Sequence, residues 1–169
     1  MSSKIIGVAG FKNAGKTTLV EKLVRELTKR GYRVSTVKHA HHSFDIDHEG
    51  RDSFRHRAAG ASEVAVISQQ RWAIIHESRG EEEPSFAAIL AKLAPCDLVI
   101  VEGYKHGSHR KIEVRNLVLD HPKLAGEDPS IVAIAATGMI ADAQVPVFDR
   151  DHVEALADFI ITKMELDRK

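Results

Sequence analysis

The chain has 169 residues, of which 43% are hydrophobic and 28% charged, the composition of a soluble globular protein with a proper core. Basic and acidic residues number 24 each, so the bulk charge gives no reason to expect a nucleic acid or an anionic membrane as a partner. The single cysteine, Cys96, excludes a disulfide framework and a multi-cysteine zinc site, and its position before an apolar run predicts a half-buried structural thiol.

The first predicted element is a strand from Lys4 to Ala9, an apolar run close to the start of the sequence. The few residues before it leave no room for a signal peptide. No apolar run anywhere approaches the length of a membrane span. We therefore expect a cytoplasmic protein that does not bind a membrane.

A phosphate-binding pattern, G-x-x-x-x-G-K-[ST], follows this strand at residues 10–17 and opens an amphipathic helix that ends near Gly31. In this context the pattern binds a nucleoside triphosphate, because backbone N–H groups and the helix N-terminus point at the phosphates. We expect Lys16 to reach the β- and γ-phosphates and the Thr17 hydroxyl to ligate Mg²⁺. The residues expected to contact the nucleotide from this loop are Gly10, Lys12, Asn13, Ala14, Gly15, Lys16, Thr17 and Thr18.

The second predicted strand runs from Tyr32 to Val37 and is followed directly by Lys38. Ligands of parallel sheets gather outside the carboxyl ends of strands, so we expect Lys38 to point into the nucleotide crevice. The next segment, His39 to Gly50, is rich in histidine and aspartate, which are possible ligands of a transition metal. We favour a loop that changes shape with the nucleotide state, because metal reservoirs tend to be longer histidine tracts.

A short helix is predicted from Asp52 to Ala59, in a segment with three arginines whose guanidinium groups suit phosphate oxygens. Arg55 is one of them. Asp52 begins this helix, where it would either cap the helix or ligate Mg²⁺, and both interpretations stay open. The elements predicted next are a hairpin of Glu63–Ile67 and Trp72–Ile75 and a helix over Pro84–Leu93.

The apolar run Asp97–Val101 predicts a buried strand of a parallel sheet. Glu102 follows it directly, in the place of the carboxylate that holds Mg²⁺ in phosphate-loop proteins. Lys105 adds a cation beside the same site. The stretch from Lys105 to Lys111 is basic, and the commoner fate of such a run is a solvated loop.

The remaining elements continue the alternation of strands and helices. With no linker or repeat, this alternation predicts a single domain over residues 1–169. The predicted fold class is α/β, the three-layer α/β/α fold of phosphate-loop nucleoside triphosphatases, with a mainly parallel sheet and a β-hairpin extension. These last elements are strands over Lys111–Val114, Ile131–Ala136 and Val145–Phe148, and a helix that Asp151 begins as N-cap.

Several further blocks accompany the phosphate loop in a characteristic order. They are Lys-Asn-Ala-Gly-Lys-Thr-Thr at 12–18, Val-Lys-His-Ala-His-His at 37–42, Phe-Asp-Ile-Asp at 44–47, Arg-Asp-Ser-x-Arg at 51–55, Ala-Gly-Ala at 59–61, Val-Glu-Gly-Tyr-Lys at 101–105 and Lys-Ile-Glu-Val at 111–114. Together they resemble the molybdopterin-guanine dinucleotide biosynthesis protein B (MobB) family. The resemblance implies a homodimer that binds GTP and has weak GTPase activity. It also implies that the protein assists the guanylyltransferase partner that joins GMP to molybdopterin. Under this resemblance the basic stretch from Lys105 to Lys111 suits an anionic pterin phosphate or an acidic partner surface.

A more distant similarity to dethiobiotin synthetase bears on the metal site and favours Asp52 as a ligand. We expect Lys16, Lys38 and Arg55 to stabilise charge on the transferring γ-phosphoryl group. No residue is an obvious base for the attacking water, which agrees with slow hydrolysis. The residues that this similarity implies around Mg²⁺ are Thr17, Asp52 and Glu102.

The resemblance does not settle which residues select the base. The Asn-Lys-x-Asp signature of Ras-like GTPases is missing, and Asp149 or Asp151 is the candidate acceptor for a guanine edge. Two other function classes also stay open. One is a small-molecule kinase or ligase that uses ATP. The other is a metallochaperone GTPase for nickel or zinc, suggested by His39, His41, His42 and His48.

Overall fold

The computed structural model describes residues 4–40, 44–105 and 107–167 and divides into two compact units. The first unit contains Met1–His39 and Leu93–Lys169, and the second contains Ala40–Lys92. The prediction of one domain over residues 1–169 stays a prediction. The elements are β1 Lys4–Ala9, α1 Lys16–Lys29, β2 Val34–Lys38, α2 Asp52–Ala58, β3 Glu63–Ile67, β4 Trp72–His76, α3 Phe86–Lys92, β5 Leu98–Glu102, β6 Lys111–Arg115, β7 Ile131–Ala136, β8 Val147–Asp149 and α4 Glu154–Lys163.

The first unit is built on a parallel sheet of six strands in the order β2-β5-β1-β6-β7-β8. The strand that precedes the phosphate loop, β1, is paired with β5 on one side and β6 on the other. All these strands present their carboxyl ends at one edge, where ligands of such sheets bind. The predicted α/β class and mainly parallel sheet are confirmed.

The helices α1 and α4 pack on the sheet through apolar faces. In α1 the buried residues Leu19, Leu23 and Leu27 recur every four positions, as expected for a helix with one face in the core. Leu156 and Ile160 of α4 join the same core and are also fully buried. Each such leucine or isoleucine contributes about 1.5–3 kcal/mol through burial, so this core fixes the helix that follows the phosphate loop.

Four predicted element starts in the first unit are wrong, and two of these strands, β5 and β8, begin at Leu98 and Val147 instead of Asp97 and Val145. The second strand begins at Val34, because Tyr32 packs into the core and the Arg33 N–H donates to Asp97 Oδ2 at 2.7 Å. The last helix begins at Glu154, and its N-cap residue makes no capping hydrogen bond from its side chain. Asp151 is not the cap, since its carboxylate forms an ion pair with Lys22 at 2.7 Å.

The second unit contains the predicted hairpin, which is confirmed as an antiparallel pair of β3 and β4. The turn has no Asn-Gly pair. It is closed instead by the Ser68 hydroxyl, which accepts the Arg71 N–H at 3.1 Å. The predicted helix from Pro84 is shorter, Phe86–Lys92, and none of its residues is fully buried. Across the described ranges, no helix is both long and apolar enough to cross a membrane.

Candidate functional site

The phosphate loop joins β1 to α1 and has the backbone that its glycines allow. Gly10 has φ +155°, and a Cβ there would lie 2.7 Å from the Val114 carbonyl oxygen, so a side chain is excluded. Gly15 has φ +100° and immediately precedes the helix. Asn13 also has a positive φ, +63°, a conformation that asparagine tolerates better than most residues. These constraints hold the loop in a curve at the N-terminus of α1, where backbone N–H groups attract anions.

Lys16, the first residue of α1, folds back over this loop. Its ammonium group donates to the Phe11 carbonyl oxygen at 2.8 Å. Burial lowers the pKa of Lys16 below its ordinary value, Glu102 opposes that shift, and Lys105 and Lys38 add to it. Three lysines thus converge on the loop, which is the electrostatic environment that a polyphosphate requires.

Glu102 and Thr17 meet at the mouth of the loop. The Thr17 hydroxyl donates to Glu102 Oε1 at 2.9 Å, although the residues are far apart in sequence. Glu102 ends β5 and lies opposite Lys38 in the register of β2 and β5, and the Lys38 ammonium is 3.8 Å from the same carboxylate oxygen. The structure therefore brings together three of the predicted site residues, from α1, β2 and β5.

Lys105 lies on the flank of the loop. Its ammonium group is 4.3 Å from the centre of the Phe11 ring, within the range of a cation–π contact. The turn before it needs glycine, because Gly103 has φ +103° and a Cβ there would lie 2.7 Å from the His39 carbonyl oxygen. This turn leads to Lys105 and its contact with Phe11 of the loop, and the role of Lys105 towards a phosphate stays a prediction.

Two residues that hold the loop were not predicted from the sequence. Arg150, just after β8, donates from Nη1 to the Ala14 carbonyl oxygen at 2.9 Å. His121 Nε2 lies 3.1 Å from the Lys12 carbonyl oxygen, and its ring stacks on Phe11 with centroids 5.2 Å apart. Arg150 lies between Asp149 and Asp151, which the sequence indicated as candidate contacts to guanine. The end of β8 was therefore already marked as part of a possible site, although Arg150 itself was not. No sequence signal marked His121.

Asp52 and Arg55 belong to the second unit and are both exposed. Asp52 is the first residue of α2, its side chain is 91% exposed, and Arg55 Nη1 is 3.9 Å from its carboxylate. The N-cap position is occupied by Arg51, and the helix has no capping hydrogen bond from a side chain, so the capping interpretation of Asp52 is wrong. The metal and phosphate roles of Asp52 and Arg55 stay predictions.

The acidic residues of the histidine-rich segment have a structural partner. Arg57, whose side chain is only 13% exposed, forms ion pairs with Asp45, Asp47 and Glu77 at 3.2, 3.6 and 3.0 Å. Among residues 4–40, 44–105 and 107–167, no group of three or more His, Cys, Asp and Glu side chains is arranged to hold a metal. In the described part of the segment, Asp45 and Asp47 are therefore paired with an arginine; His41 and His42 lie outside the described residues.

The two aspartates proposed to select guanine are engaged elsewhere. Asp149 accepts the Asp151 N–H at 2.8 Å and lies 3.0 Å from His152 Nδ1. The hydrogen bond from His152 is the main cause that lowers the pKa of Asp149. Asp151 is paired with Lys22, as described above. Neither residue lines the cavity of about 530 Å³ whose wall includes Phe11 and Ala14 of the loop.

Lys111, the end of the predicted basic stretch, is a core residue and not part of a solvated surface. It is 1% exposed, and its ammonium group donates to Asp128 Oδ2 at 2.8 Å and to the Ser130 hydroxyl. Burial would raise the pKa of Asp128, but the hydrogen bonds from Lys111 and Ser130 outweigh it and lower this pKa to about 2.

Cys96 is half-buried, as predicted.

Comparison with known proteins identifies relatives of the whole chain. A family model described as Molybdopterin guanine dinucleotide synthesis protein B matches residues 5–137. A molybdopterin-guanine dinucleotide biosynthesis adapter protein of Escherichia coli is 36% identical over 164 residues, which cover 95% of this chain and 93% of the relative. A protein of Haemophilus influenzae with the same description is 36% identical over 156 residues, which cover 92% of this chain and 86% of the relative.

Solved structures agree with this relationship. The crystal structure of a molybdopterin-guanine biosynthesis protein B superposes with a TM-score of 0.73 at 27% identity, over 95% of this chain and 99% of that one. The shared architecture is the three-layer α/β fold that the sequence predicted. The resemblance drawn from the sequence blocks is confirmed, and this chain belongs to the MobB family.

Proposed function

We propose that this chain is an adapter protein of molybdopterin guanine dinucleotide synthesis that binds GTP and Mg²⁺ at its phosphate loop. The observation that supports it most is the contact at the mouth of the loop, where the Thr17 hydroxyl lies 2.9 Å from Glu102 Oε1. A hydroxyl and a carboxylate in this arrangement are hard oxygen ligands of the kind that Mg²⁺ prefers. The relatives' description as adapter proteins supports the role.

The spacing of these two oxygens fits one magnesium ion. Mg²⁺ binds oxygen at 2.0–2.1 Å in an octahedron, so neighbouring ligand oxygens lie about 3 Å apart. The distance between Thr17 Oγ1 and Glu102 Oε1 is close to this value. When bound, the ion would neutralise charge on the outer phosphates. Asp52 is the third ligand of the proposal, on the basis of the family resemblance.

The cations around the loop would stabilise the triphosphate. Lys16 and Lys38 both lie beside the Thr17–Glu102 pair, and Arg55 is added from the resemblance. Lys38 is 64% exposed on its side chain, so it can reorient towards a phosphate. With no obvious base for water, we propose that hydrolysis is weak and that binding and delivery of the nucleotide carry the function.

Replacing Glu102 with glutamine is expected to weaken Mg²⁺ binding in the presence of GTP by about 10- to 100-fold, because an anionic oxygen ligand is lost. The measurement is a calorimetric titration of Mg²⁺ into protein with GTP. Glu21→Gln, which neutralises an exposed carboxylate on α1, is the matched control and should leave the affinity unchanged. An equal Mg²⁺ affinity in Glu102→Gln and the wild type would exclude Glu102 as a ligand.

The proposed partners are the guanylyltransferase that joins GMP to molybdopterin, and molybdopterin itself, in the cytoplasm. The experiment that tests the function is a titration of GTP and of ATP, each with Mg²⁺ and each with and without the purified guanylyltransferase. Selective GTP binding that changes with the partner present supports the proposal. ATP binding without any effect of the partner would instead favour a kinase or ligase.

We further propose that the chain forms a homodimer through its hairpin. Ile67 and Trp72 are paired across β3 and β4, and Ile74 lies on the same face two residues further along. Ile67 is 79% and Trp72 70% exposed, and Ile74 is exposed as well. A cluster of large apolar side chains in water favours association, and a second copy offers the same cluster in return.

Trp72→Lys is expected to shift the protein from dimer to monomer, because a buried unpaired ammonium would destabilise the interface. Sedimentation velocity at micromolar concentration measures this change. Gln70→Lys in the turn adds the same charge outside the apolar cluster and should leave the dimer intact. A dimer that persists in Trp72→Lys would place the interface elsewhere.

A further inference from the structure

A cavity of about 530 Å³ opens beside the phosphate loop. Phe11 and Ala14 of the loop form part of its wall, and the connections that follow β6 and β7 form the rest. These two connections adjoin each other, since a Cβ on Gly138 would lie 3.4 Å from Leu117 Cδ1. The volume lies within the 300–1,000 Å³ of small-molecule sites, and no step of the proposed phosphate and Mg²⁺ binding uses it.

A buried carboxylate holds one wall of this cavity in place. Glu113 of β6 is 1% exposed and accepts the N–H groups of Leu124 and Ala125 at 3.0 and 2.7 Å. The same carboxylate accepts two hydrogen bonds from the Arg115 guanidinium, both at 2.8 Å. The connection after β6 is therefore fixed on the sheet, and its cavity wall is formed before any ligand arrives.

An aromatic surface lies where this wall meets the phosphate loop. The rings of Phe11 and His121 both line the cavity and stack with an interplanar angle of 25°. The contact of His121 with the Lys12 carbonyl oxygen ties the wall to the loop itself. The Lys105 ammonium also lies over the Phe11 ring, so a planar heterocycle in the cavity would stack on the ring of His121. A heterocycle in the cavity would lie next to the site proposed for phosphates.

The polar groups of the cavity suit one particular kind of heterocycle. Asp120 and Asp142 contribute carboxylates, which accept hydrogen bonds, and Asn116 and Gln144 contribute amides, which donate as well as accept. A 2-amino-4-oxopyrimidine edge presents two N–H donors beside a carbonyl acceptor. Guanine and pterin rings both carry this edge, whereas adenine does not.

We propose that this cavity binds a 2-amino-4-oxopyrimidine ring, with the carboxylates of Asp120 and Asp142 accepting its N–H groups. The ring is either the guanine of the bound nucleotide or the pterin of a second substrate. The proposal rests on the proposed function, to which it adds the heterocycle. It also replaces Asp149 and Asp151, whose carboxylates are engaged elsewhere, as the residues that recognise the ring.

The test compares Asp120→Asn/Asp142→Asn with the wild type by calorimetric titration of GTP, ATP, xanthosine triphosphate and neopterin, a pterin without phosphate. If guanine occupies the cavity, the double variant should lose about tenfold to hundredfold in GTP affinity, gain affinity for the xanthosine nucleotide and keep its ATP affinity. If a pterin occupies the cavity, the double variant should lose neopterin binding while its GTP affinity stays unchanged. The wild type should then bind neopterin even when GTP is already bound.

Two further variants keep the test decisive. Ala141→Trp, at an exposed lining residue, fills the cavity without removing a charge and should reproduce the loss. Asp149→Asn, whose carboxylate lies outside the cavity, should behave like the wild type. Unchanged affinities for every ligand in both cavity variants, with triphosphate binding still dependent on Lys16, would overturn this inference and leave the proposed function standing. Absence of triphosphate binding in the wild type would overturn the proposed function instead.

Discussion

Lys16→Ala is expected to abolish measurable binding of GTP, a loss on the order of 100-fold or more in affinity. The lysine ammonium is the loop's own cation, and charge-assisted hydrogen bonds to phosphate are worth about 1.5–3 kcal/mol each. It already lies over the loop, 2.8 Å from the Phe11 carbonyl oxygen. A calorimetric titration of GTP with Mg²⁺ measures the change.

The matched control for this variant is Lys29→Ala. Lys29 is the exposed last residue of α1, at the opposite end of the helix that Lys16 begins. We expect this variant to keep the GTP affinity of the wild type. Circular dichroism should show that both variants stay folded. Retained GTP affinity in a folded Lys16→Ala protein would remove the phosphate-loop assignment.

Glu113→Gln is expected to lower the free energy of unfolding by about 3–5 kcal/mol, the cost of leaving one charge of a buried pair without its partner. The Arg115 side chain is only 13% exposed and would remain behind as that charge. Chemical denaturation at neutral pH measures the loss. Glu127→Gln, which neutralises an exposed carboxylate between β6 and β7, should stay within about 0.5 kcal/mol of the wild type.

The same variant should change the dependence of stability on pH. Burial would raise the pKa of Glu113, but hydrogen bonds from Arg115, Leu124 and Ala125 outweigh it and lower this pKa below its ordinary 4.5. The ionised carboxylate therefore stabilises the folded state above about pH 4.5, and this contribution is lost as the pH falls through the lowered pKa. The difference in the free energy of unfolding between the wild type and Glu113→Gln should become smaller in acid. A difference that stays constant down to pH 3 would contradict this account.

The sequence was sufficient for the elements whose side chains repeat with a clear period. The α1 helix and the hairpin were predicted because Leu19, Leu23 and Leu27 share one helix face, and because β3 and β4 are short β-branched runs. Element ends were less predictable. Tyr32 reads as the start of a strand by its residue type, yet packing into the core decided its position.

The residues of the candidate site also divide into those that a local sequence pattern predicts and those that it does not. The Gly10–Thr17 loop and Glu102 were predictable because their chemistry needs fixed residue types at fixed spacing, and the structure joins them at 2.9 Å. Lys111 was misread because a lysine in a polar stretch looks solvated, and its partner Asp128 lies 17 positions away. His121 was not predictable, since its contact with Lys12 spans 109 positions. Contacts between residues so far apart in the sequence depend on the order of the strands in the sheet, which no local pattern encodes.

The hydrogen bond from Arg150 to Ala14 has a consequence for how the protein is made. The two residues are 136 positions apart, so a ribosome completes the phosphate loop long before it adds the arginine that holds it. At 5–20 residues per second, this interval lasts roughly 7–27 seconds. A nascent chain in that interval has the full nucleotide-binding motif but lacks one of its supports, so it should bind nucleotide less tightly than the finished protein.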